Sequence, residues 1–371
     1  MKIPIAIVGG GPAGAHLGYC LASEGIKATI FDDSHPREKP CGGGISALAL
    51  KKFTLLHGLH YDDNDDWLKL VSPGGKEALV TGDEETSAFS RKRMDMFILH
   101  KAIDAGSNLV EERVVDFERS GDSWKIKTNK KTYEAEVLVG ADGVNSLVRR
   151  KLIGPIPKEH LGVCLGVFAK SPRHAEEMTT IQFLKGMEGY AWFFPREEDI
   201  SIGVGTVLEN GKHLKAELDK FMKKYASHTK VLSTWAAMLP MPKDEGFLQL
   251  PTSGEDWLLI GDAAGHVDPM MGAGITYAMW GAELAAKAIA SGDIASYERM
   301  WREEYGHYIR EGIKMRNLLS HKTILEIFIR LSARSRTFGN VMCGLVDSEQ
   351  DYRTVWKVIL KSAPRILYEL I

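Results

Sequence analysis

Two glycine-rich segments far apart in the chain have the residue types to grip one ligand from both sides. They are Gly9-Gly10-Gly11-Pro12-Ala13-Gly14 near the start, and Gly261-Asp262-Ala263-Ala264-Gly265 with Gly272-Ala273-Gly274-Ile275 much later. In the first, Gly9 allows a tight turn, Gly11 lets backbone approach a pyrophosphate and Gly14 lets helix and strand pack closely, with Ala13 counted among the cofactor-binding residues. Asp32 then stands where this motif needs a carboxylate for a ribose hydroxyl. In the second, Asp262 at a strand end can accept bonds from a ribityl chain. Gly272, Gly274 and Ile275 open a helix whose amides and partial positive charge suit a flavin ring, favouring its anionic reduced form. The second segment separates FAD from NAD, and FAD is the expected cofactor.

Two further segments carry residues for the reacting end of such a cofactor. Lys39-Pro40-Cys41-Gly42-Gly43-Gly44 contains three consecutive glycines, which cost chain entropy and are tolerated where backbone lies flat against a surface such as an isoalloxazine. In Gly189-Tyr190-Ala191-Trp192-Phe193-Phe194-Pro195 the aromatics alternate, so Tyr190, Trp192 and Phe194 share one face of an extended segment. They offer an apolar wall edged by a phenol and an indole N–H. A plain sheet core and an inert buried Cys41 would read the same way if either segment stood alone.

The elements that must position these residues follow from periodicity. An apolar run at Lys2–Val8 reads as a buried strand, residues 12–24 as the helix after it, and residues 27–31 as the strand that delivers Asp32. Residues 255–260 form the strand before Gly261, and an Ala-rich helix starts at the Gly272–Ile275 turn. A further strand around Val137 runs into Asp142-Gly143, and Arg91 opens a helix carrying Met94, Asp95 and Leu99.

In this order and spacing the glycine motif, Arg91, Asp142-Gly143 and Gly261-Asp262 resemble the para-hydroxybenzoate hydroxylase-like FAD superfamily over about residues 1–290. Cys41-Gly-Gly-Gly and Tyr190-x-Trp192-x-Phe194-Pro195 narrow the resemblance to the geranylgeranyl reductase family, of the digeranylgeranylglycerophospholipid reductase type. That resemblance implies that Arg91 faces the FAD pyrophosphate, Asp142 belongs to the Asp-Gly segment and Val114 meets the adenine. It also implies that Cys41, Gly42 and Gly44 pass along the flavin while Tyr190, Trp192 and Phe194 line a lipid pocket. The activity it implies is FAD-dependent saturation of carbon–carbon double bonds in geranylgeranyl-type chains, with Cys41, Tyr190 or an ordered water bringing the proton. Two departures are mild: Arg196 stands where Lys is commoner and Asp32 where Glu is. Two competing classes are a flavin monooxygenase or halogenase on a small hydrophobic substrate, whose Trp-x-Trp-x-x-Pro segment residues 190–195 partly echo, and a non-catalytic electron-transfer module.

The fold expected is α/β: a discontinuous Rossmann-type FAD-binding domain over residues 1–60, 88–155 and 245–300, an antiparallel-sheet substrate domain over 61–87 and 156–244, and a C-terminal helical region over 301–371. Substrate-sheet strands are expected at 67–71, 77–81, 161–169, 179–184, 190–194 and 200–207, with a helix at 212–225. With 371 residues and 44% hydrophobic content the chain can bury a large core, and a net charge of −2 argues against a nucleic-acid partner. Four cysteines without a Cys-x-x-Cys pair give no metal-ligand spacing and suit a reducing compartment. A first strand at residue 2 and no long apolar run make the cytoplasm the expected location. Basic amphipathic segments at 324–331 and 355–371 either cover a core or touch a membrane surface. No second glycine-rich nucleotide motif exists, so an external reductant is expected: a nicotinamide, a deazaflavin or a ferredoxin-type protein.

Overall fold

The computed structural model of the protein describes residues 1–59, 67–81, 87–171, 178–346 and 351–371, so the expected boundary at 60/61 lies outside the described residues. The strands in chain order are β1 Lys2–Val8, β2 Thr29–Phe31, β3 Gly44–Ile45, β4 Leu68–Val71, β5 Glu77–Val80, β6 Ser87–Ala88, β7 Asn108–Val110, β8 Val114–Ser120, β9 Ser123–Thr128, β10 Thr132–Gly140, β11 Leu161–Lys170, β12 Thr180–Phe183, β13 Tyr190–Pro195, β14 Ile200–Val207, β15 Lys230–Pro240 and β16 Trp257–Leu259. The helices are α1 Pro12–Ser23, α2 Ala47–Lys52, α3 Arg91–Ala105, α4 Leu147–Leu152, α5 Leu214–Tyr225, α6 Ile275–Ala290, α7 Ser296–Glu304, α8 Gly306–Leu319, α9 Lys322–Ser332, α10 Arg336–Val346 and α11 Val355–Leu370.

The first sheet has β7, β2, β1 and β10 side by side in parallel, with β16 parallel on the far edge of β10. The β8–β9 hairpin continues from the start of β10 in the antiparallel sense. Because β1 is covered on both faces, its apolar run is nearly continuous: Ile5 and Ile7 join one core with α1 and α6, and Ala6 and Val8 join another with Ile126 and Leu138. Close approach of α1 to β1 is what Gly14 permits, since a Cβ there would stand 1.9 Å from the Gly9 carbonyl oxygen.

The second sheet runs β15-β11-β14-β13-β12-β4-β5 and is antiparallel except for the β12–β4 pair, which is parallel. Those two strands are separated in sequence by the whole β7–β10 excursion into the first sheet, so no hairpin ties them. The edge strand β15 was not anticipated from sequence. Val231 and Leu232 are exposed at its start, so it lacks the alternation that marks a half-buried strand.

Alternation along β13 and β14 decides what each face of this sheet does. Ala191, Phe193, Ile200, Ile202 and Val204 point to one side, where they pack with Leu214, Leu218 and Phe221 of α5. Tyr190, Trp192 and Phe194 point to the other, around Phe168 and Trp235. The strand residues on that face are small: a Cβ on Gly203 would lie 2.3 Å from Trp192, and one on Gly166 would lie 2.5 Å from Trp235. Glycine there lets two indoles lie flat on the sheet. The C-terminal helices build a separate core in which α9 and α10 cover β4 and β5. No helix among the described residues is long and apolar enough to cross a membrane.

Candidate functional site

The C-terminal ends of the parallel strands and the aromatic face of the second sheet enclose one cavity of about 710 Å³. Its position beyond the strand ends is where parallel α/β sheets bind ligands. All the residues expected to bind cofactor or substrate lie on its wall except Gly14, which is buried in the first turn of α1, where a Cβ would meet the Gly9 oxygen and Ile7.

At one end, α1 starts at Gly11 and α6 at Gly274, and neither N-terminus has a side-chain cap. Their first amides are therefore unclaimed by protein side chains and open on the cavity. Gly9 adopts φ 103° in the turn, and a Cβ on it would meet the Ala141 carbonyl oxygen at 2.4 Å. Gly11 is the opposite case, because a Cβ there would find no protein atom within 4 Å. That open cradle is shaped for a phosphate, and Ala13 on the same wall adds only a methyl group.

Four carboxylates flank this region with different duties. Asp32 accepts from the Gly10 amide at 2.7 Å, and from the Ser34 amide and hydroxyl at 2.8 and 2.5 Å. Burial opposes its charge, but the bonds from Ser34 and Gly10 outweigh it and hold the carboxyl below its ordinary range. Asp142 spends its oxygens on the start of α4, accepting from the Leu147 amide at 2.7 Å and from Ser146, and burial raises its pKa. Asp262 lies 3.9 Å from Lys39 and 2.9 Å from where a Cβ on Gly274 would stand. Asp95 is fully buried and takes Arg91 bidentately at 2.7 and 2.9 Å. Burial works against the Arg91 charge, but Asp95 outweighs it and holds the guanidinium protonated, with Cys41 among the groups near it. Val114, with Arg113 beside it, closes the cavity at the β8 side.

The opposite end is apolar. Tyr190, Trp192 and Phe194 stand in a row with ring centroids 5.9 and 6.2 Å apart, and Trp192 meets Trp235 at 6.0 Å. Leu68, Ile181, Leu239, Met271 and Val346 extend the wall. The polar tips expected at its edge are turned into the protein. Tyr190 donates to the Met271 carbonyl at 2.5 Å, and Trp192 donates to Ser201 Oγ at 3.2 Å. Burial also pushes the Tyr190 phenol well above its usual range. Removal from water in the wall pushes the Cys164 thiol up to about 12.

The Cys-Gly-Gly-Gly stretch lies where the two ends meet. Cβ atoms on Gly42 and Gly44 would come within 3.1 and 3.5 Å of the Phe194 ring, so the flat surface pressed by the glycine backbone includes the aromatic wall itself. Ser201 Oγ donates to the Cys41 carbonyl at 3.2 Å. Glu38, just upstream, accepts from Arg196 at 2.8 Å, Ser90 at 2.5 Å and the Arg91 amide at 3.1 Å. Arg196 also holds Asp199 bidentately at 2.7 and 2.8 Å and stacks on Phe168. Glu38 and Arg196 thus clamp the start of α3, the end of β13 and the Cys41 loop together. Sequence reasoning noticed the positive charge of Arg196 but not this clamp.

Asp268 was missed altogether. It is fully buried, accepts from the Met270 and Met271 amides at 2.7 and 2.9 Å, and accepts from the Tyr352 hydroxyl at 2.6 Å. It fixes the loop before Gly272, and through Met271 the position of Tyr190. The one local sign was an Asp-Pro pair after the Gly261 turn, which alone reads as ordinary turn chemistry.

No protein-family model matches the chain. Among curated proteins it is 26% identical over 393 residues to the digeranylgeranylglycerophospholipid reductase of Methanocaldococcus jannaschii, covering 98% of this chain and 96% of that protein. It is 27% identical over 410 residues to the menaquinone reductase of Mycolicibacterium smegmatis, covering 98% of each. It is 28% identical over 349 residues to conditioned medium factor receptor 1 of Dictyostelium discoideum, covering 82% of this chain and 68% of that protein. In fold it resembles a geranylgeranyl bacteriochlorophyll reductase-like protein from Thermoplasma acidophilum, with a TM-score of 0.80 at 19% identity over 100% of this chain and 98% of that one. A flavin-dependent brominase follows at a TM-score of 0.69, also 19% identical, over 98% of this chain and 100% of that one. Several relatives named as geranylgeranyl-type reductases thus align with the chain over most of its length, and its fold is shared with flavoenzymes.

Proposed function

We propose that the chain binds FAD and saturates carbon–carbon double bonds of geranylgeranyl-type isoprenoid lipid chains, with Cys41 as the residue that holds the proton. The observation that carries this reading is the continuity of the cavity: two uncapped helix starts and a glycine cradle at one end, an aromatic and aliphatic wall without a polar tip at the other.

The residues present fit FAD. The α1 start and Gly11 would take the pyrophosphate, Asp32 a ribose, Val114 the adenine side, Asp262 the ribityl chain, and Gly272, Gly274 and Ile275 the ring. Gly9, Ala13, Gly14, Arg91 and Asp142 would shape the turns and loops around it. When bound and reduced, FAD supplies both electrons and one of the two hydrogens added across the alkene.

The protein's own contribution is placement, dryness and the second hydrogen. An isolated alkene has no carbonyl to spread developing charge, so the site must fix the reacting carbons and keep water away. Tyr190, Trp192, Phe194 and Trp235 form a rigid wall because their rings rest on glycines and on each other. The Tyr190 proton is committed to the Met271 carbonyl and burial makes the Cys164 thiol a weak acid, so Cys41 and an ordered water remain, and Cys41 is the one proposed. Its sulfur accepts from the Gly43 amide at 3.4 Å and has Arg91 beside it, so the thiol is oriented at the junction of the two ends. Reducing equivalents come from an external donor of the nicotinamide, deazaflavin or ferredoxin class.

The likeness to a brominase is one of fold, and no arrangement in the cavity favours oxygen chemistry over reduction. Anaerobic turnover decides between them. Protein supplied with reductant and a geranylgeranylated glycerophospholipid in the absence of oxygen should yield lipid heavier by two hydrogens per bond reduced. Turnover that appears only with oxygen would replace this reading with the oxygenase one.

A further inference from the structure

We propose that α11 is a membrane-docking helix that seats the protein on an anionic lipid surface. Its inward face is fixed. Val355 and Ile366 are buried in the core shared with α9 and α10, and Glu369 accepts from Ser335 Oγ at 2.6 Å and from the Thr337 amide and hydroxyl at 3.0 and 2.8 Å. The outward face is therefore set by packing and is not free to turn in.

What that outward face carries is unusual for a surface exposed to water. Leu360 is 73% exposed, Leu367 61% and Tyr368 82%, with Trp356 half-exposed and Ile371 fully so. On a wheel of 3.6 residues per turn, positions 356, 360, 367 and 371 fall within about 60° of one another, so they form a single apolar stripe. Lys357, Lys361 and Arg365, each one turn from the next, form the adjoining row. Trp356 stands 6.4 Å from Phe328 of α9, where Ile327 and Arg330 are also exposed, so the neighbouring helix widens the surface.

Charge selects the occupant. The chain as a whole carries −2, so this row of cations is a local feature and not general basicity. An apolar stripe with long basic side chains along one flank matches a layer of acyl chains under anionic head groups, because Lys and Arg can lay their stems on the apolar zone and keep their charges at the phosphates. The helix is also packed near the cavity: Val346 at the end of α10 lines the cavity with Leu68 and Ile181, and it shares one core with Val355 and Ile366 of α11. A docked protein would thus hold its apolar pocket close to the phase in which a prenyl lipid resides. That consequence rests on the proposed reaction, but the docking does not.

Flotation with vesicles tests it. The full-length protein should float with phosphatidylcholine vesicles containing phosphatidylglycerol, float poorly with phosphatidylcholine alone, and be released by high salt. Leu360→Asp with Leu367→Asp should lower partitioning by about tenfold or more. Lys357→Gln with Lys361→Gln should lower it by about tenfold on anionic vesicles only. The blue shift of tryptophan emission on binding should be reduced in Trp356→Phe. All these side chains are exposed, so unchanged melting temperatures confirm folded variants. Absence of flotation, flotation indifferent to Leu360→Asp with Leu367→Asp, or a solution dimer that this pair dissociates would overturn the proposal. Flotation without any prenyl reduction would leave docking standing and remove the proposed reaction; reduction of detergent-dispersed lipid without flotation would do the reverse.

Discussion

The helices around the parallel sheet begin in two ways. α2, α3 and α4 start at Ser46, Ser90 and Ser146, whose hydroxyls accept from the amides of Ala49, Arg93 and Arg149. α1 and α6 start at Gly11 and Gly274, with no side-chain cap. A serine cap is worth about 1 kcal/mol over alanine, but only a few tenths over glycine, so the stability forgone at these two sites is small. What is retained is a set of backbone donors aimed at one cavity. Helices α5, α7, α8, α9 and α11 also lack side-chain caps, but their starts are not on the cavity wall. The lesson is that a missing interaction becomes informative when its position coincides with a pocket.

Breaking the cradle should have the largest effect. Gly9→Ala places a Cβ 2.4 Å from the Ala141 oxygen in a left-handed backbone at φ 103°, and we expect a loss of about 2–4 kcal/mol with colourless purified protein. Calorimetry and the flavin absorption spectrum check both. Breaking the wall should be separable from this. Gly203→Ala pushes on Trp192, and we expect a cost of about 1–3 kcal/mol with flavin content kept and prenyl-chain turnover lost. Loss of flavin in this variant would show that cradle and wall are one cooperative unit.

A milder change tests the contrast itself. Gly11 has φ −70° and room for a Cβ, so Gly11→Ser can cap α1 without strain. We expect the apo protein to gain a few tenths of a kcal/mol while FAD affinity falls about tenfold, as the new hydroxyl takes a donor from the ligand and narrows the cradle. Titration calorimetry and apo melting curves should move in opposite directions.

The smallest effect concerns pH. Asp32 has a depressed carboxyl pKa, so its contribution to folding is complete above the ordinary carboxylate range and disappears as pH falls through its lowered value. Burial raises Asp142, whose linkage therefore has the opposite sign, with stability lost as pH rises through its raised value. The difference in melting temperature between the native chain and Asp32→Asn should be full at neutral pH and shrink below about pH 4.

These contrasts track what could be read from the chain. The cradle was legible because its parts are backbone requirements: Gly9, Gly11 and Asp32 serve one turn, and their spacing survives in sequence. The row of Tyr190, Trp192 and Phe194 was legible because a strand's period of two is local. The Glu38–Arg196 clamp was not, since its members stand 158 residues apart and each alone is a surface-like charge. Asp268 with Tyr352 is the same case across 84 residues. The role of Gly203 under Trp192 left no local sign, and β15 hid because an exposed edge needs no alternation. Interactions that the fold creates leave no periodicity to read.

The central claim is that one cavity holds a reducing flavin against a prenyl chain. The most direct measurement is the visible spectrum of dithionite-reduced, FAD-loaded protein mixed anaerobically with a geranylgeranylated glycerophospholipid. We predict return of the oxidised-flavin absorption at a rate that Gly203→Ala slows, with matching loss of double bonds in the lipid. A spectrum that stays bleached with every prenyl lipid offered, yet recovers at once in air, would contradict the account.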